Sequence, residues 1–169
     1  MDKNLWLKLT LAVCVLLAAA CGTKNQIDPL SAAPLAADAD PEFTKAVEQA
    51  QGSVDEFFAA FFSPSPTQSW AGLRMRFQEP DSSLFEYHWT EFIDYYDGTF
   101  TVSLLDGLTL DLGQHPGRYV EAPAEDLIDW MIIEEDGTFT GGYTVRLAYK
   151  RMTPAERRQF IAVTGYVMQ

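Results

Sequence analysis

The sequence predicts an α+β fold, with an N-terminal helix packed on a curved antiparallel sheet of about five strands and a short C-terminal helix. Three observations predict it. Apolar residues recur every three or four positions between residues 43 and 61, and they alternate with polar residues from residue 70 onward. The pentapeptide Asp-Gly-Thr-Phe-Thr also occurs twice, at 97–101 and 136–140, which is typical of hairpin turns. The whole chain is 47% hydrophobic and 13% aromatic, and the segment 41–169 is long enough to bury a core as a single α+β domain.

Residues 1–20 are predicted to be a signal peptide. Lys3 and Lys8 precede a run from Leu9 to Ala20 that is apolar except for Thr10. A membrane-spanning helix needs about 20 apolar residues, so this run is too short, and the small residues at its end are typical of a cleavage site.

The small residues lead directly into Cys21, an arrangement that resembles the lipobox of bacterial lipoproteins. The resemblance implies that Cys21 is lipidated and becomes the first residue of the mature chain. The usual leucine three places before the cysteine is replaced by Ala18, with Leu17 one step earlier. The alternative is an ordinary cut after an Ala-x-Ala sequence, with Cys21 incidental. Gly22 is not the aspartate that usually retains lipoproteins at the inner membrane, so an outer-membrane anchor facing the periplasm is expected.

Residues 21–40 are rich in alanine, aspartate and proline without a sustained period, and are predicted to be a lipidated flexible tether. The chain carries 24 acidic against 12 basic residues, a net charge of −12, which disfavours nucleic acid as a partner. Cys14 and Cys21 are its two cysteines, and both precede the domain. The folded domain therefore lacks thiols for a disulfide, a nucleophile or a metal site.

The first domain element is predicted to be one helix that begins at Asp40 and Pro41. Asp40 can cap it, and Pro41 suits the first turn. The apolar stripe formed by Phe43, Val47, Ala50, Val54, Phe57 and Phe61 favours a helix lying on a sheet. The run Ser-Pro-Ser-Pro at 63–66 should end it.

Strands follow from Trp70. In one run Leu73, Met75 and Phe77 alternate with Arg74 and Arg76, and in the next run apolar residues 85, 87 and 89 alternate with Glu86 and His88. In the first hairpin Tyr95 should face Phe100 and Ile93 should face Val102, with a bulge or strand end near Glu91.

A two-residue turn at Asp136-Gly137 fixes the predicted register of the second hairpin. In that register Asp129 faces Thr144, and Arg146 lies diagonally within reach of Asp129. Apolar pairs such as Trp130 with Tyr143 lie on the other side. The sequence Thr-Pro-Ala-Glu at 153–156 predicts a capping box that begins the final helix.

Three segments in order, 86–89 (Glu-Tyr-His-Trp), 128–132 (Ile-Asp-Trp-Met-Ile) and 141–146 (Gly-Gly-Tyr-Thr-Val-Arg), resemble the YegJ-like bacterial domain of unknown function. The resemblance covers about residues 54–150. The chain departs from that family after the first hairpin, where an Asn-x-Pro element is usual. The resemblance implies a bacterial setting and this fold class, and it implies no activity.

Candidate functional residues are few. Glu86 and His88 should share one sheet face, beside Arg74 and Arg76, where they could act as general base and orienter, supply two metal ligands, or form a salt-bridged outer face. Asp129 and Arg146 are expected to position two strands, with ligand binding as the alternative. No metal ligand set and no cofactor are expected.

The sequence therefore favours an uncharacterised bacterial envelope lipoprotein that acts as a non-catalytic binding or assembly module. It would contact the membrane through its lipid and an envelope protein or small ligand through the polar sheet face or loop 105–118. One alternative is a metal-assisted or general-base hydrolase that uses Glu86 and His88. Another is an immunity-type protein that binds a toxin.

Overall fold

The computed structural model of the protein describes residues 40–79, 83–105 and 119–168. Its elements, in chain order, are helix α1 (Pro41–Gly52), helix α2 (Val54–Phe62), strands β1 (Gln68–Gln78), β2 (Phe85–Tyr96), β3 (Thr99–Leu104) and β4 (Tyr119–Pro123), a short 3₁₀ turn (Ala124–Asp126), strands β5 (Leu127–Glu134) and β6 (Phe139–Gly141), helix α3 (Tyr143–Arg151) and helix α4 (Pro154–Thr164).

The described strands form one open antiparallel sheet in the order β4-β3-β2-β1-β5-β6, which confirms the α+β class with six strands. Helices cover both faces. On the face of the sheet that α2 covers, the α2 face, Phe57 is fully buried in one cluster with Leu73, Met75 and Trp130. On the α3 face, Val145 of α3 and Phe160 of α4 lie in the same buried cluster as Trp89 and Met131. Burying each such large side chain stabilises the fold by about 1.5–3 kcal/mol.

The single N-terminal helix of the prediction is two helices that meet at Ser53. Gly52 weakens the helix there, and the Ser53 hydroxyl donates to the Gln49 carbonyl oxygen at 2.8 Å. The same hydroxyl accepts a hydrogen bond from the Trp130 indole at 3.2 Å and contacts the Tyr143 hydroxyl at 2.9 Å. The break therefore lets α1 lie against β5 and α3, while α2 packs on the sheet. Asp40 caps α1, and α2 ends at Phe62, both as predicted.

The first hairpin joins β2 and β3 through Asp97 and Gly98. The Tyr95–Phe100 pair is confirmed, but Val102 pairs with Phe92 and not with Ile93. The predicted irregularity is present nearer the turn than expected, because the register shifts between Phe92 and Asp94. The bulge turns Phe92 into the core at 4% exposure and leaves Ile93 42% exposed.

The second hairpin differs from the predicted register by one residue. Residues 135–137 form a three-residue loop, closed by a hydrogen bond from the Glu134 amide to the Thr138 carbonyl oxygen at 2.9 Å. Met131 consequently pairs with Gly141. Strand β6 ends there, and residues 143–151, whose first part was predicted to be a strand, form α3. Helix α4 begins with the predicted capping box at Thr153 and Glu156.

An ion cluster joins the start of α1 to the end of α3, and we call it the α1–α3 ion cluster. Arg151 binds Asp40 and, at 2.9 Å, Glu42, while Lys150 binds Glu42 at 2.9 Å. The hydrogen bond from Arg151 lowers the pKa of Asp40 to about 2. The same Asp40 carboxylate accepts hydrogen bonds from the Glu42 and Phe43 amides, so one side chain caps a helix and fastens it to another.

Candidate functional site

The most buried carboxylate of the predicted site residues is Asp129, in the middle of β5, with no exposed surface. Its Oδ1 accepts from the backbone amides of Trp130 at 2.9 Å and Tyr143 at 3.1 Å. Its Oδ2 accepts from the Thr144 amide at 2.7 Å and the Thr144 hydroxyl at 2.6 Å. Burial raises the pKa of Asp129 above its ordinary value, and these four hydrogen bonds act in the opposite direction.

Two of those amides are the first of helix α3. The residue before the helix, Gly142, lies in the left-handed region and has no side chain to cap it. Helix-starting amides need acceptors, and Asp129 supplies them from the neighbouring strand. The carboxylate therefore serves as the cap of α3, which explains why the chain leaves the sheet after Gly141.

Thr144 extends this contact to Arg74, which is 3% exposed on β1. The Arg74 Nη1 donates to the Thr144 hydroxyl oxygen at 3.2 Å, and that hydroxyl donates onward to Asp129. Arg74 is also the register partner of Asp129, and its guanidinium carbon lies 5.6 Å from the centre of the Tyr87 ring. The expected facing of Asp129 and Thr144 is thus present, although a helix and not a strand provides Thr144.

Arg146 does not meet Asp129, so the predicted diagonal pair is wrong. Arg146 lies in α3, where its Nε donates to the Gly141 carbonyl oxygen at 3.1 Å and its Nη2 to the Phe139 carbonyl oxygen at 2.8 Å. Its guanidinium carbon lies 4.3 Å from the centre of the Phe139 ring. This arginine fastens α3 to the strand that precedes it.

Glu86 and His88 lie together on β2, with Oε2 and Nε2 2.8 Å apart and about a fifth of each side chain exposed. Their register partners are Phe77 and Met75, so they point to the α2 face. Arg74 and Arg76 pair with Trp89 and Tyr87 and point to the α3 face. The predicted four-residue polar face is therefore wrong, because successive residues of a strand point to opposite sides.

Arg76 binds Asp126 in the turn before β5, with its Nε 2.8 Å and its Nη2 2.5 Å from the Asp126 Oδ1. The pair joins β1 to the turn before its neighbour β5. Within residues 40–79, 83–105 and 119–168, no group of three His, Asp or Glu side chains is arranged to hold a metal ion.

A groove of about 340 Å³ opens where β1 and β2 part. Their register ends at Leu73 and Thr90, although both strands continue beyond it. The groove is lined by residues 68–71 of β1, residues 91–93 of β2 and Phe61 of α2. Its size is in the range of small ligand sites. We call it the fork groove. Sequence reasoning missed it, and its one signal was Gly72, a glycine inside an alternating strand pattern.

A model of bacterial domains, described as an uncharacterized protein conserved in bacteria (DUF2314), matches residues 40–167. The chain belongs to the DUF2314 family. No curated protein and no solved structure matches it significantly. The expectation of a bacterial domain of unknown function is confirmed at this level, and the YegJ-like likeness stays a prediction.

Three predictions for this DUF2314 protein lie outside the described residues: the signal peptide 1–20, the tether 21–40 with lipidated Cys21 (all but Asp40), and all of loop 105–118 except Leu105. In the described part, no helix has both the length and the apolar character needed to cross a bilayer.

Proposed function

We propose that this DUF2314 protein is a lipid-anchored envelope protein whose domain binds a partner without catalysing a reaction. The fork groove is the observation that carries the binding role, because it is an open site in the interior of a sheet, where neighbouring strands would otherwise pair. Its walls belong to three elements of the packed core, so its shape is largely formed before a partner arrives.

Four of the charged candidate residues make contacts that hold elements of the domain together. Asp129 caps α3, Arg74 reaches Thr144, and Arg146 binds two carbonyl groups. Arg76 binds Asp126. Each of these groups is engaged in holding one element to another, which leaves the fork groove as the better candidate for contact with a partner.

The lipid anchor is supported by the sequence around Cys21. A diacylglyceryl group on the cysteine with a further acyl chain would hold the domain firmly, since each buried methylene contributes about 0.8 kcal/mol. We expect the intact chain in the membrane fraction and Cys21→Ser in the soluble periplasmic fraction. Mass spectrometry of the N-terminal peptide should show the acyl groups, and an unmodified Cys21 would contradict the anchor.

The binding role is tested with a photo-reactive amino acid placed at Ile93, on the rim of the fork groove, in living bacteria. The matched control carries it at Val163 of α4, which is 53% exposed and does not line the groove. A discrete crosslinked product from position 93, absent from position 163 and lost when Ala71→Trp fills the groove, is expected. Equal products from both positions would overturn the proposal.

A hydrolase is the second candidate, and the 2.8 Å contact between Glu86 and His88 favours it. A carboxylate that orients a histidine is a common arrangement for a general base. The test assays the purified chain on ester, amide and phosphoester reporters, with His88→Ala and, as control, substitution of the other histidine, His115→Ala. Turnover lost in the first variant and kept in the second would favour catalysis over binding.

A further inference from the structure

The two strands that border the fork groove each have a partner on one side. Residues of β1 before Leu73 pair with β5, and residues of β2 after Thr90 pair with β3. The edges of β1 and β2 that face each other across the groove are their inner edges, and among the described residues no strand pairs with them there. A strand presents backbone amide and carbonyl groups on both of its edges, so these inner edges carry hydrogen-bonding capacity that the sheet does not use.

From this arrangement we infer that the fork groove binds a segment of a partner protein in the extended conformation, by main-chain hydrogen bonding to the inner edge of β1 or β2. This inference rests on the proposed binding function and names its ligand class. An extended segment is the ligand that matches an open strand edge, because its own backbone repeats with the spacing of the strand.

Side chains around the groove indicate what the segment carries. Phe61 on the α2 side, Trp70 and Ile93 supply apolar surface. Among the described residues of the lining, Glu91 is the one charged side chain, and it is exposed. A segment with aliphatic or small residues and one lysine or arginine placed toward Glu91 would suit these walls. The surplus of acidic residues in the chain acts in the same direction by attracting basic segments.

Gly72 shapes the closed end of the groove. A Cβ atom at this position would lie 2.4 Å from the Trp70 indole and 2.5 Å from the Thr90 carbonyl oxygen. The missing side chain thus allows Trp70 to fold over the point where β1 and β2 part, with its ring 5.7 Å from that of Trp89. The indole consequently forms a fixed wall of the groove.

The test uses the full chain in lipid nanodiscs and a blocked pentapeptide, threonine-valine-lysine-valine-threonine, at millimolar concentration. Hydrogen exchange followed by mass spectrometry should show slower exchange in 68–72 or 91–95 when the peptide is present. A peptide with alternate backbone nitrogens methylated lacks the required donors and should give no protection. A glutamate in place of the lysine, or Glu91→Gln in the protein, should weaken binding by up to about fivefold.

Strand addition is overturned if the pentapeptide protects neither segment, or if the methylated peptide binds equally well. The Ile93 crosslinking result separates this failure from that of the proposed function. If a partner is captured at position 93 but the peptides have no effect, the proposed binding function stands and the ligand is not an extended segment. Absence of both would remove the binding role itself. Because Glu91 is exposed and outside the core, Glu91→Gln should keep the fold and its own hydrogen-exchange pattern.

Discussion

The same five residues, Asp-Gly-Thr-Phe-Thr, form two different turns in this molecule. At 97–101 both Asp97 and Gly98 have positive φ, 46° and 78°, and Tyr96 pairs with Thr99 across a two-residue turn. The second copy, at 136–140, begins inside a three-residue loop formed by residues 135–137, and Gly137 is the one loop residue with positive φ. The pentapeptide therefore favours a reversal of the chain, and the residues around it determine the length and conformation of the turn.

The surroundings of the two glycines differ in a way that accounts for this. A Cβ atom at Gly98 would meet nothing within 4 Å, although the Gly98 carbonyl oxygen accepts a hydrogen bond from the Ala124 amide at 2.8 Å. A Cβ atom at Gly137 would lie 2.2 Å from the Gly165 carbonyl oxygen, and the Gly137 carbonyl oxygen accepts from the Val167 amide at 2.8 Å. The segment after α4 therefore packs on the second turn and stabilises its conformation.

The two hairpins also end differently. Strand β3 pairs with β2 as far as Leu104, whereas β6 stops after three residues, and Asp129 then accepts the first amides of α3. A buried carboxylate in the neighbouring strand thus converts the second arm of a hairpin into a helix. Two pairs of matched variants and one pH dependence test these differences between the hairpins, in order of decreasing effect.

The largest effect is expected from Asp129→Ala. It leaves two helix amides, the Trp130 amide and the Thr144 hydroxyl without their buried acceptor, and should lower the free energy of unfolding by about 3–5 kcal/mol. The matched variant in the first hairpin is Asp94→Ala, because Asp94 also accepts from the next amide, at 2.8 Å, but lies exposed. Urea denaturation should show a change below about 1 kcal/mol for that variant. Equal losses would refute the capping role.

The next largest difference is expected between alanine substitutions of the two turn glycines, Gly137 and Gly98. Gly137→Ala combines a left-handed backbone with a contact against main chain, so a loss of about 2–3 kcal/mol is expected. Gly98→Ala has the left-handed backbone cost alone, about 1 kcal/mol. Thermal denaturation of both purified variants under identical conditions measures the difference. A larger loss at Gly98 would mean that the C-terminal segment does not hold the second turn.

The smallest effect concerns Asp136. Its Oδ1 accepts from the Thr138 hydroxyl at 2.6 Å and the Thr138 amide at 2.9 Å, and these bonds lower the pKa of Asp136. A lowered pKa in the folded state stabilises the fold above the unfolded value of about 3.9, and this stabilisation is lost as the pH falls through the folded value. The difference in urea midpoint between wild type and Asp136→Ala should therefore shrink between pH 5 and pH 2. A constant difference would contradict this contribution.

The sequence predicted the elements whose signals are local. The cap at Asp40, the end of α2 at the prolines, the Tyr95–Phe100 pair and the capping box at Thr153 all follow from neighbouring residues. The helix over 143–151 was missed, because its start depends on Asp129, a side chain 14 residues earlier than Tyr143. Helix α3 then covers the sheet face that was expected to be polar and buries Arg74.

The candidate residues show the same division. Glu86 and His88 share a face because they are two residues apart, which the sequence states directly. Their separation from Arg74 and Arg76 depends on the β1–β2 register, which the two sequences alone left open. The fork groove depends on where that register stops, so it could be found only in three dimensions.

The α1–α3 ion cluster has a mechanical consequence if the chain is anchored ahead of Asp40, as we propose. Tension from the bilayer would enter the domain at Asp40, whose carboxylate is held by Arg151. The load would be shared between the first turn of α1, which the backbone joins to Asp40, and the end of α3, which this contact joins to it. In single-molecule pulling between the N-terminus and a fixed point within the sheet, the rupture force should thus be lower in Arg151→Ala than in the wild type. When the force is applied between the C-terminus and the same point, the substitution should change the rupture force less.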